Sequence, residues 1–217
     1  MISGYKCAIF DMDGTVLESM YYWRISSLEY VIEHNLPVNE ELLSGVFKRG
    51  AGATVKMAYA LAGRDDYEAE LKYISSKLVR YVYAHYLKDV KPKPYAIDFL
   101  KKLREEGVRC CIATATDKEF ALEALKVHGM DEYFEFIFDE SDAGCSKANE
   151  QYFERLLEKL GCEKNECMLF EDAAYSIRTA KKFGIRVTGI EDTYAIEGSD
   201  IVKALSDQYV CSFSELI

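Results

Sequence analysis

The sequence predicts an α/β protein in which helices flank a parallel β-sheet and a helical segment is inserted after the first strand. Three observations support this prediction. Short apolar runs alternate with longer helical patterns from about residue 95 onward, as in βαβ units. Glycines directly follow several of these helical patterns, as helix-terminating glycines do. Residues 18–90, by contrast, contain almost no strand signal.

The strands are predicted from short apolar runs that end in polar residues or glycine. They cover residues 7–10, 108–114, 134–138, 167–170 and 186–190. The helices between them are predicted at residues 95–106, 118–128, 149–160 and 173–183. In the insertion, helical patterns fill residues 20–34, 40–48, 54–61 and 67–87. We therefore expect a core domain of residues 1–17 and 91–217 and an inserted helical domain of residues 18–90.

Composition limits the classes of function. The chain has 217 residues, a formal net charge of −10 and no block of Lys and Arg, which disfavours nucleic-acid binding because phosphate contacts need a basic surface. Lys6 interrupts the first apolar stretch, unlike in a signal peptide, and no apolar run approaches a membrane span in length. We expect neither a nucleic-acid nor a membrane partner.

The seven cysteines are scattered along the chain. They form no CxxC pair and do not cluster in sequence with the three histidines, so the spacing disfavours a zinc site. Several lie in apolar runs, where cysteine behaves as a small hydrophobic residue. A reducing, cytoplasmic location is the simplest interpretation.

Two aspartates, Asp11 and Asp13, directly follow the first predicted strand and precede Gly14 and Thr15. Carboxylates at the carboxyl end of a parallel strand line the ligand crevice of an open sheet. Two acids so close repel each other and favour a divalent cation. The alternative is an ordinary turn, because Asp and Gly are common turn formers.

Other strand ends carry polar groups as well. Thr114 and Ala115 follow the second strand and open a helix whose free N–H groups suit an anion, although Asp117 can equally cap that helix. Glu171 and Asp172 follow the fourth strand. Together with Lys147, which alone would be an ordinary surface lysine, these groups could hold Mg²⁺ and neutralise a phosphate dianion.

These motifs resemble those of the haloacid dehalogenase superfamily, in the branch with a helical cap that includes phosphoglycolate phosphatase and β-phosphoglucomutase. The segment DMDGT at 11–15 matches the DxDxT signature, and IAT at 112–114 matches the second, phosphate-binding motif. Lys147 stands at the third motif and FEDA at 170–173 at the fourth. The resemblance implies a three-layer Rossmann-like parallel sheet with an inserted α-helical cap domain.

The resemblance also implies roles for these residues. Asp11 would be the nucleophile that forms an aspartyl-phosphate, and Asp13 the general acid and base. Thr114, Ala115 and Lys147 would bind phosphate. Mg²⁺ would be held by Asp11, Asp13, Asp172 and Glu171, with Glu171 either a direct ligand or an outer-shell partner. The substrate would be a small phosphorylated metabolite.

The sequence departs from the family pattern at three places. Glu18 precedes Ser19, where relatives often have Asp. Relatives usually follow the third-motif lysine with Pro-x-Pro, whereas Ala148 follows Lys147 here. The serine that usually follows the fourth-motif acids is Ala173. The spacing from Lys147 to the following aromatic residues is preserved, so Lys147 keeps its assignment.

Two alternative functions remain open on the sequence. A sugar-phosphate mutase of the β-phosphoglucomutase type typically has a cap histidine near Trp23 and an arginine just after Gly50, and this chain has neither. A catalytically inactive, cap-gated binding protein would be expected to lose motif residues, and every one is present. A phosphatase is therefore the favoured function.

Substrate selection is assigned to the cap because the cap closes over the leaving group in this family. Lys48 and Arg49 precede a flexible Gly-Ala-Gly segment and are candidate substrate-binding residues. If they face the site, a substrate with a second anionic group is favoured. They can equally form the solvated basic end of a helix. Further candidate selectors are Trp23, Arg24 and Lys56.

Overall fold

The computed structural model describes residues 4–217 and divides into two compact units. The first consists of the chain up to Glu18 together with Lys91–Ile217, and the second is Ser19–Val90. The first unit is a parallel α/β fold and the second is helical. The predicted fold class is confirmed. Glu18, which was assigned to the insertion, lies in the first unit.

The sheet of the first unit has six parallel strands in the order β3-β2-β1-β4-β5-β6. Their bounds are β1 Cys7–Phe10, β2 Arg109–Ala113, β3 Ile137–Phe138, β4 Cys167–Glu171, β5 Arg186–Ile190 and β6 Gln208–Val210. The central pair, β1 and β4, is buried at every position. Strands covered on both faces need apolar side chains on both, which explains their continuous apolar sequence.

Alternate side chains of β1 pack against different helical layers, as the period of two in a strand requires. Ile9 belongs to a cluster with Phe153 and Ile177, which lie on the helices of one face. Phe10 stacks on Phe170 with ring centroids 4.5 Å apart, and Phe99 meets both rings edge-on from the other face. The core therefore has three layers with the sheet in the middle.

Helices of the first unit connect the strands. They are α5 Ala96–Glu105, α6 Lys118–Lys126, α7 Glu140–Ala143, α8 Glu150–Leu160, α9 Ala174–Phe183 and α10 Ser199–Leu205, with 3₁₀ turns at Asp131–Tyr133, Lys164–Glu166 and Phe213–Leu216. Gly161 and Gly184 end α8 and α9 in the left-handed conformation, which glycine adopts without steric cost. Their predicted role as helix-terminating glycines is confirmed.

The second unit contains four helices: α1 Met20–Glu33, α2 Glu40–Gly45, α3 Ala51–Leu61 and α4 Tyr67–Tyr86. Its own apolar core includes Val31, Val55 and Ile74. The hydroxyls of Tyr30 and Tyr59 lie 3.0 Å apart inside this core, so each buried phenol has a hydrogen-bond partner. A separate core is what lets an inserted segment fold as a unit of its own.

The chain leaves and re-enters the first unit at neighbouring positions. Leu17 forms an antiparallel bridge with Pro92. Two backbone hydrogen bonds flank that bridge, from Glu18 N to Lys91 O at 2.8 Å and from Lys93 N to Val16 O at 2.9 Å. The two connections of the insertion are therefore paired like strands.

Some predicted boundaries were wrong. The second predicted helix of the insertion ends at Gly45 rather than Lys48, and the third begins at Ala51 rather than Thr54. β3 is two residues long instead of five, and β6, α7 and α10 were not predicted. Elements this short do not show a full hydrophobic period. Within residues 4–217, none of the helices combines the length and the apolar character needed to cross a bilayer.

Candidate active site

The carboxyl end of β1 leads directly into a tight turn that carries acidic side chains. Asp11 is 7% exposed, and its backbone N–H still donates to Phe170 O at 2.9 Å. The carbonyl of Met12 then accepts hydrogen bonds from three successive N–H groups, those of residues 15, 16 and 17. Gly14 has a φ of +85°, which favours glycine in this turn. The turn holds Asp11 and Asp13 at the sheet edge.

Lys147 connects the ends of β1, β2 and β4 through its ammonium group. Nζ donates to Asp11 Oδ1 at 2.7 Å, to Glu171 Oε2 at 2.8 Å and to the carbonyl of Ala113 at 2.9 Å. These three bonds use all three protons of the ammonium. The side chain is 1% exposed, and it lies shortly before α8, whose first turn begins after Asn149.

The second acidic strand end is held by hydrogen bonds as well. Asp172 follows β4 and accepts a hydrogen bond at Oδ1 from the hydroxyl of Thr15 at 3.1 Å. Glu171 accepts at Oε1 from the backbone N–H of Ala173 at 3.0 Å. Both carboxylates are buried. Thr15 thus ties the turn after β1 to the end of β4.

The end of β2 contributes hydroxyl groups. Thr114 is buried, and its Oγ1 accepts from the backbone N–H of Thr116 at 3.0 Å. Thr116 in turn donates from Oγ1 to Asp13 Oδ2 at 2.7 Å. Ala115 lies between them and is exposed. The carboxylate of Asp117 accepts from Glu119 N at 2.9 Å, so the predicted capping role of Asp117 is confirmed.

Burial and mutual repulsion shift the pKa values of this cluster. Burial, followed by the charge of Glu171, raises the pKa of Asp11 to about 8. Burial and the charge of Asp11 raise the pKa of Asp172 well above its usual value. Burial alone would lower the pKa of Lys147, but the charges of Asp11 and Glu171 raise it well above normal. One lysine therefore does not balance the charge that all three carboxylates would carry if they were ionised together.

This donor set fits a divalent metal ion. One carboxylate oxygen from each of Asp11, Glu171 and Asp172 lies within 4.8 Å of the others, and all three residues are buried. Hard cations such as Mg²⁺ take carboxylate oxygens as ligands. A bound cation would also offset the repulsion that raises the pKa of Asp11 and Asp172.

Two residues near the acidic cluster were not found from the sequence. Lys93 donates from Nζ to Asp192 Oδ2 and to Glu191 O, both at 2.8 Å. The charge of Asp192 raises the pKa of Asp172, and the charge of Lys93 lowers it. Asp192 lies two residues after the predicted strand 186–190, and Lys93 lies in none of the predicted strands or helices.

Among the candidate selectors, Trp23, Arg49 and Lys56 have partners within the second unit. Lys48 is exposed. The guanidinium of Arg49 lies over Gly45 of α2 and donates to Glu41 O at 3.4 Å. Trp23 Nε1 donates to Tyr86 OH at 3.2 Å. Lys56 pairs with Glu68, and Arg24 is buried on α1.

Comparisons with known proteins agree with this fold. A family model described as haloacid dehalogenase-like hydrolase matches residues 5–184. A pyrophosphatase PpaX from Halalkalibacterium halodurans is 31% identical over 128 residues, and the match covers 59% of each chain. A phosphoglycolate phosphatase from Agrobacterium fabrum is 23% identical, over 96% of this chain and 89% of the relative.

A solved structure has the same fold as this chain. The crystal structure of a predicted phosphoglycolate phosphatase from Haemophilus somnus superposes with a TM-score of 0.84 at 20% identity. The superposition covers 100% of this chain and 98% of the other.

A parallel sheet with acids, a lysine and hydroxyls gathered at the carboxyl ends of its strands defines an α/β enzyme with a crevice at that edge. The family match covers most of the chain. The chain belongs to the haloacid dehalogenase-like hydrolase family, and it is therefore a hydrolase.

Proposed function

We propose that the chain is a Mg²⁺-dependent phosphatase, a phosphoric monoester hydrolase that cleaves a small phosphorylated metabolite through an aspartyl-phosphate. The observation that carries the proposal is the bridge formed by Lys147 between Asp11 and Glu171, at 2.7 and 2.8 Å. A cation so placed offsets the charge of a carboxylate nucleophile as it approaches a phosphate dianion.

Asp11, Glu171 and Asp172 are the side chains that would hold Mg²⁺, with the backbone carbonyl of Asp13 as a further donor. When bound, the ion would neutralise phosphate oxygens and so stabilise charge in the transition state. Three buried carboxylates within 4.8 Å of one another support this assignment.

In the first half-reaction, a carboxylate oxygen of Asp11 forms a bond to phosphorus while the bond from phosphorus to the leaving oxygen breaks. Asp13 donates a proton to that leaving oxygen. The hydrogen bond from Thr116 to Asp13 Oδ2, at 2.7 Å, orients the Asp13 carboxyl group. The hydroxyl of Thr114 and the backbone N–H of Ala115 are assigned to the phosphate oxygens.

In the second half-reaction, Asp13 accepts a proton from a water molecule, whose oxygen attacks the phosphorus of the aspartyl-phosphate. Inorganic phosphate leaves and the Asp11 carboxylate is restored. Lys147 remains bound to Asp11 Oδ1 in the resting enzyme and keeps this side chain in one orientation. Phosphoryl transfer needs little beyond such positioning and charge stabilisation.

The names of relatives support the substrate class. Phosphoglycolate phosphatase and fructose-1-phosphate phosphatase are names of proteins similar to this chain over most of its length. We propose a phosphorylated carboxylic acid or sugar of that size as substrate, with Lys48 and Arg49 as candidate selectors. The seven cysteines are free thiols, which supports a reducing, cytoplasmic location.

Hydrolysis of p-nitrophenyl phosphate with Mg²⁺ tests the proposal. We expect turnover by the natural chain and none by Asp11→Asn, which is nearly isosteric and keeps a far-UV circular dichroism spectrum of the folded protein. Acid quenching during turnover should trap phosphate on the natural chain and not on the variant. Substantial turnover by Asp11→Asn would contradict the assignment of the nucleophile. An inactive natural chain would favour a binding protein.

The mutase alternative requires a different assay. Incubation with β-glucose 1-phosphate and a trace of the 1,6-bisphosphate should release phosphate slowly or not at all, without glucose 6-phosphate. Rapid formation of glucose 6-phosphate would contradict the phosphatase proposal and indicate a mutase.

A further inference from the structure

Three cysteines come together at the amino-terminal edge of the sheet, at the opposite end of β1 and β4 from the acidic cluster. Cys7 begins β1 and Cys167 begins β4, and the two are direct neighbours in the strand register. Cys162 lies just after α8. The sulfurs of the three lie within 4.8 Å of one another. The spacing of these residues in sequence gave no sign of this cluster.

The sulfur spacing suits a thiophilic metal ion. An ion bonded to sulfur at about 2.3 Å in a plane of three thiolates needs sulfurs about 4 Å apart. From a spacing of at most 4.8 Å, each sulfur would move by about half an ångström or less to reach this geometry. Thiolates select soft or borderline ions such as Cu⁺ and Zn²⁺ over hard ions such as Mg²⁺.

The neighbouring groups favour bound thiolates. Arg109 lies beside Cys7 in the strand register, and its Nη1 donates to Cys162 Sγ at 3.6 Å. The same nitrogen donates to Leu160 O at 2.9 Å, so the guanidinium is fixed in place. A positively charged donor to a ligand sulfur is the kind of outer-shell contact that orients metal ligands and stabilises their charge.

A path for a cation reaches the cluster from solvent. Cys162 is partly exposed and lines a cavity of about 470 Å³. The charged residues that line this cavity are four glutamates and one lysine: Glu154, Glu158, Glu163, Glu166 and Lys164. Carboxylates around an entrance raise the local concentration of cations.

We propose that Cys7, Cys162 and Cys167 form a binding site for one thiophilic d¹⁰ metal ion, Cu⁺ or Zn²⁺, separate from the carboxylate site. Binding replaces three S–H bonds by three metal–sulfur bonds and releases three protons, with no change of oxidation state. Three sulfurs complete the coordination of Cu⁺, whereas Zn²⁺ would keep a water molecule as its fourth ligand. Burial raises the pKa of Cys7 to about 12 and that of Cys167 well above normal.

The test uses the full chain, reduced, stripped of metal and supplied with excess Mg²⁺ to fill the carboxylate site. One equivalent of Cu⁺, held by a weak chelator, or of Zn²⁺ is added, and bound metal is measured by native mass spectrometry. We expect one ion per chain. Cd²⁺ in place of either ion should produce an ultraviolet thiolate-to-metal charge-transfer band. Direct competition between Cu⁺ and Zn²⁺ identifies the preferred ion.

Cys162→Ser is the informative variant, because this side chain is partly exposed and its replacement leaves the strands intact. We expect it to weaken binding at least tenfold and to reduce the charge-transfer band. Cys211→Ser, at an exposed cysteine outside the cluster, should bind as the natural chain does. Circular dichroism checks the fold of both. No bound ion, or equal affinity in Cys162→Ser, would overturn the proposal.

Discussion

Nζ of Lys147 lies 2.7 Å from Oδ1 of Asp11, although 136 residues separate the two in sequence. Both side chains are buried, so neither charge is stable there without a partner. The pair forms because the segment before α8 passes over the carboxyl ends of β1 and β4. The sheet therefore builds the charge arrangement that the proposed reaction needs.

Replacing Lys147 by methionine should lower kcat for p-nitrophenyl phosphate by at least about 100-fold, because the charge of the transition state loses its buried counter-ion. Leaving Asp11 and Glu171 unpaired should also destabilise the fold by about 3–5 kcal/mol. Thermal unfolding followed by circular dichroism separates the two effects. Lys182→Met, at an exposed lysine paired with Glu150, is the control. A near-normal rate in Lys147→Met would show that another cation stabilises the charge of the transition state.

Removal of divalent metal by a chelator should abolish turnover, and Mg²⁺ should restore it. Asp172→Asn should raise the Mg²⁺ concentration for half-maximal rate at least tenfold, because a neutral amide is a weaker ligand than a carboxylate. A Mg²⁺ titration of the rate measures this. Asp98→Asn, at an exposed acid of α5, should titrate like the natural chain. Full activity after chelation would contradict the metal assignment.

Thr116→Val removes the hydroxyl that donates to Asp13 Oδ2. One lost hydrogen bond to a charged group is worth about 1.5 kcal/mol, so kcat should fall about tenfold with little change in KM. Steady-state kinetics measure both constants. The control is Thr179→Val, whose hydroxyl donates to its own helix at Tyr175 O. Equal kcat in the two variants would show that the hydrogen bond from Thr116 does not contribute to the function of Asp13.

Asp139, which follows β3, gives a pH dependence of stability. It is buried and accepts hydrogen bonds from Asp142 N, Lys118 N and Ser141 Oγ at 2.9, 2.9 and 2.7 Å. Burial acts to raise its pKa, but these bonds outweigh burial and lower it. The unfolded-state pKa is about 3.9, so the stabilisation is complete above that pH and is lost as pH falls through the lower folded-state value.

Asp139→Asn should therefore reduce the free energy of unfolding at pH 7 by about 1 kcal/mol, and the difference from the natural chain should shrink below about pH 4. Urea unfolding at a series of pH values measures this difference. Asp98→Asn is the control variant, because it makes the same substitution at an exposed acid. A difference that grows on acidification would contradict the assigned direction of the pKa shift.

The fold could be predicted from the sequence because its buried strands are continuous apolar runs and its longer helices show a clear hydrophobic period. β6 could not be predicted, because three residues show no period. β3 was overestimated: Phe136 O and Glu135 N make single hydrogen bonds to β2, but only two residues form the ladder.

The acids of the candidate site could be predicted because each lies at the end of a strand or just after it, and strand ends meet at one edge of a parallel sheet. The contacts between side chains could not. Thr116 reaches Asp13, Lys93 reaches Asp192, and Cys162 reaches Cys7 only because of the strand order and the course of the loops. These contacts join residues that are far apart in sequence. They depend on the tertiary structure, and no local sequence pattern indicates them.

Because Leu17 and Pro92 form a bridge, the segment between them could be replaced by another segment. Paired antiparallel residues lie about 5 Å apart, so the points where the chain leaves and re-enters the first unit are neighbours, whatever segment connects them. Loop-closure entropy grows slowly with length, so a longer, shorter or unrelated segment could replace Ser19–Val90 without altering the strand order. If the insertion selects the substrate as proposed above, evolution could vary it without altering the β1 turn that carries Asp11 and Asp13.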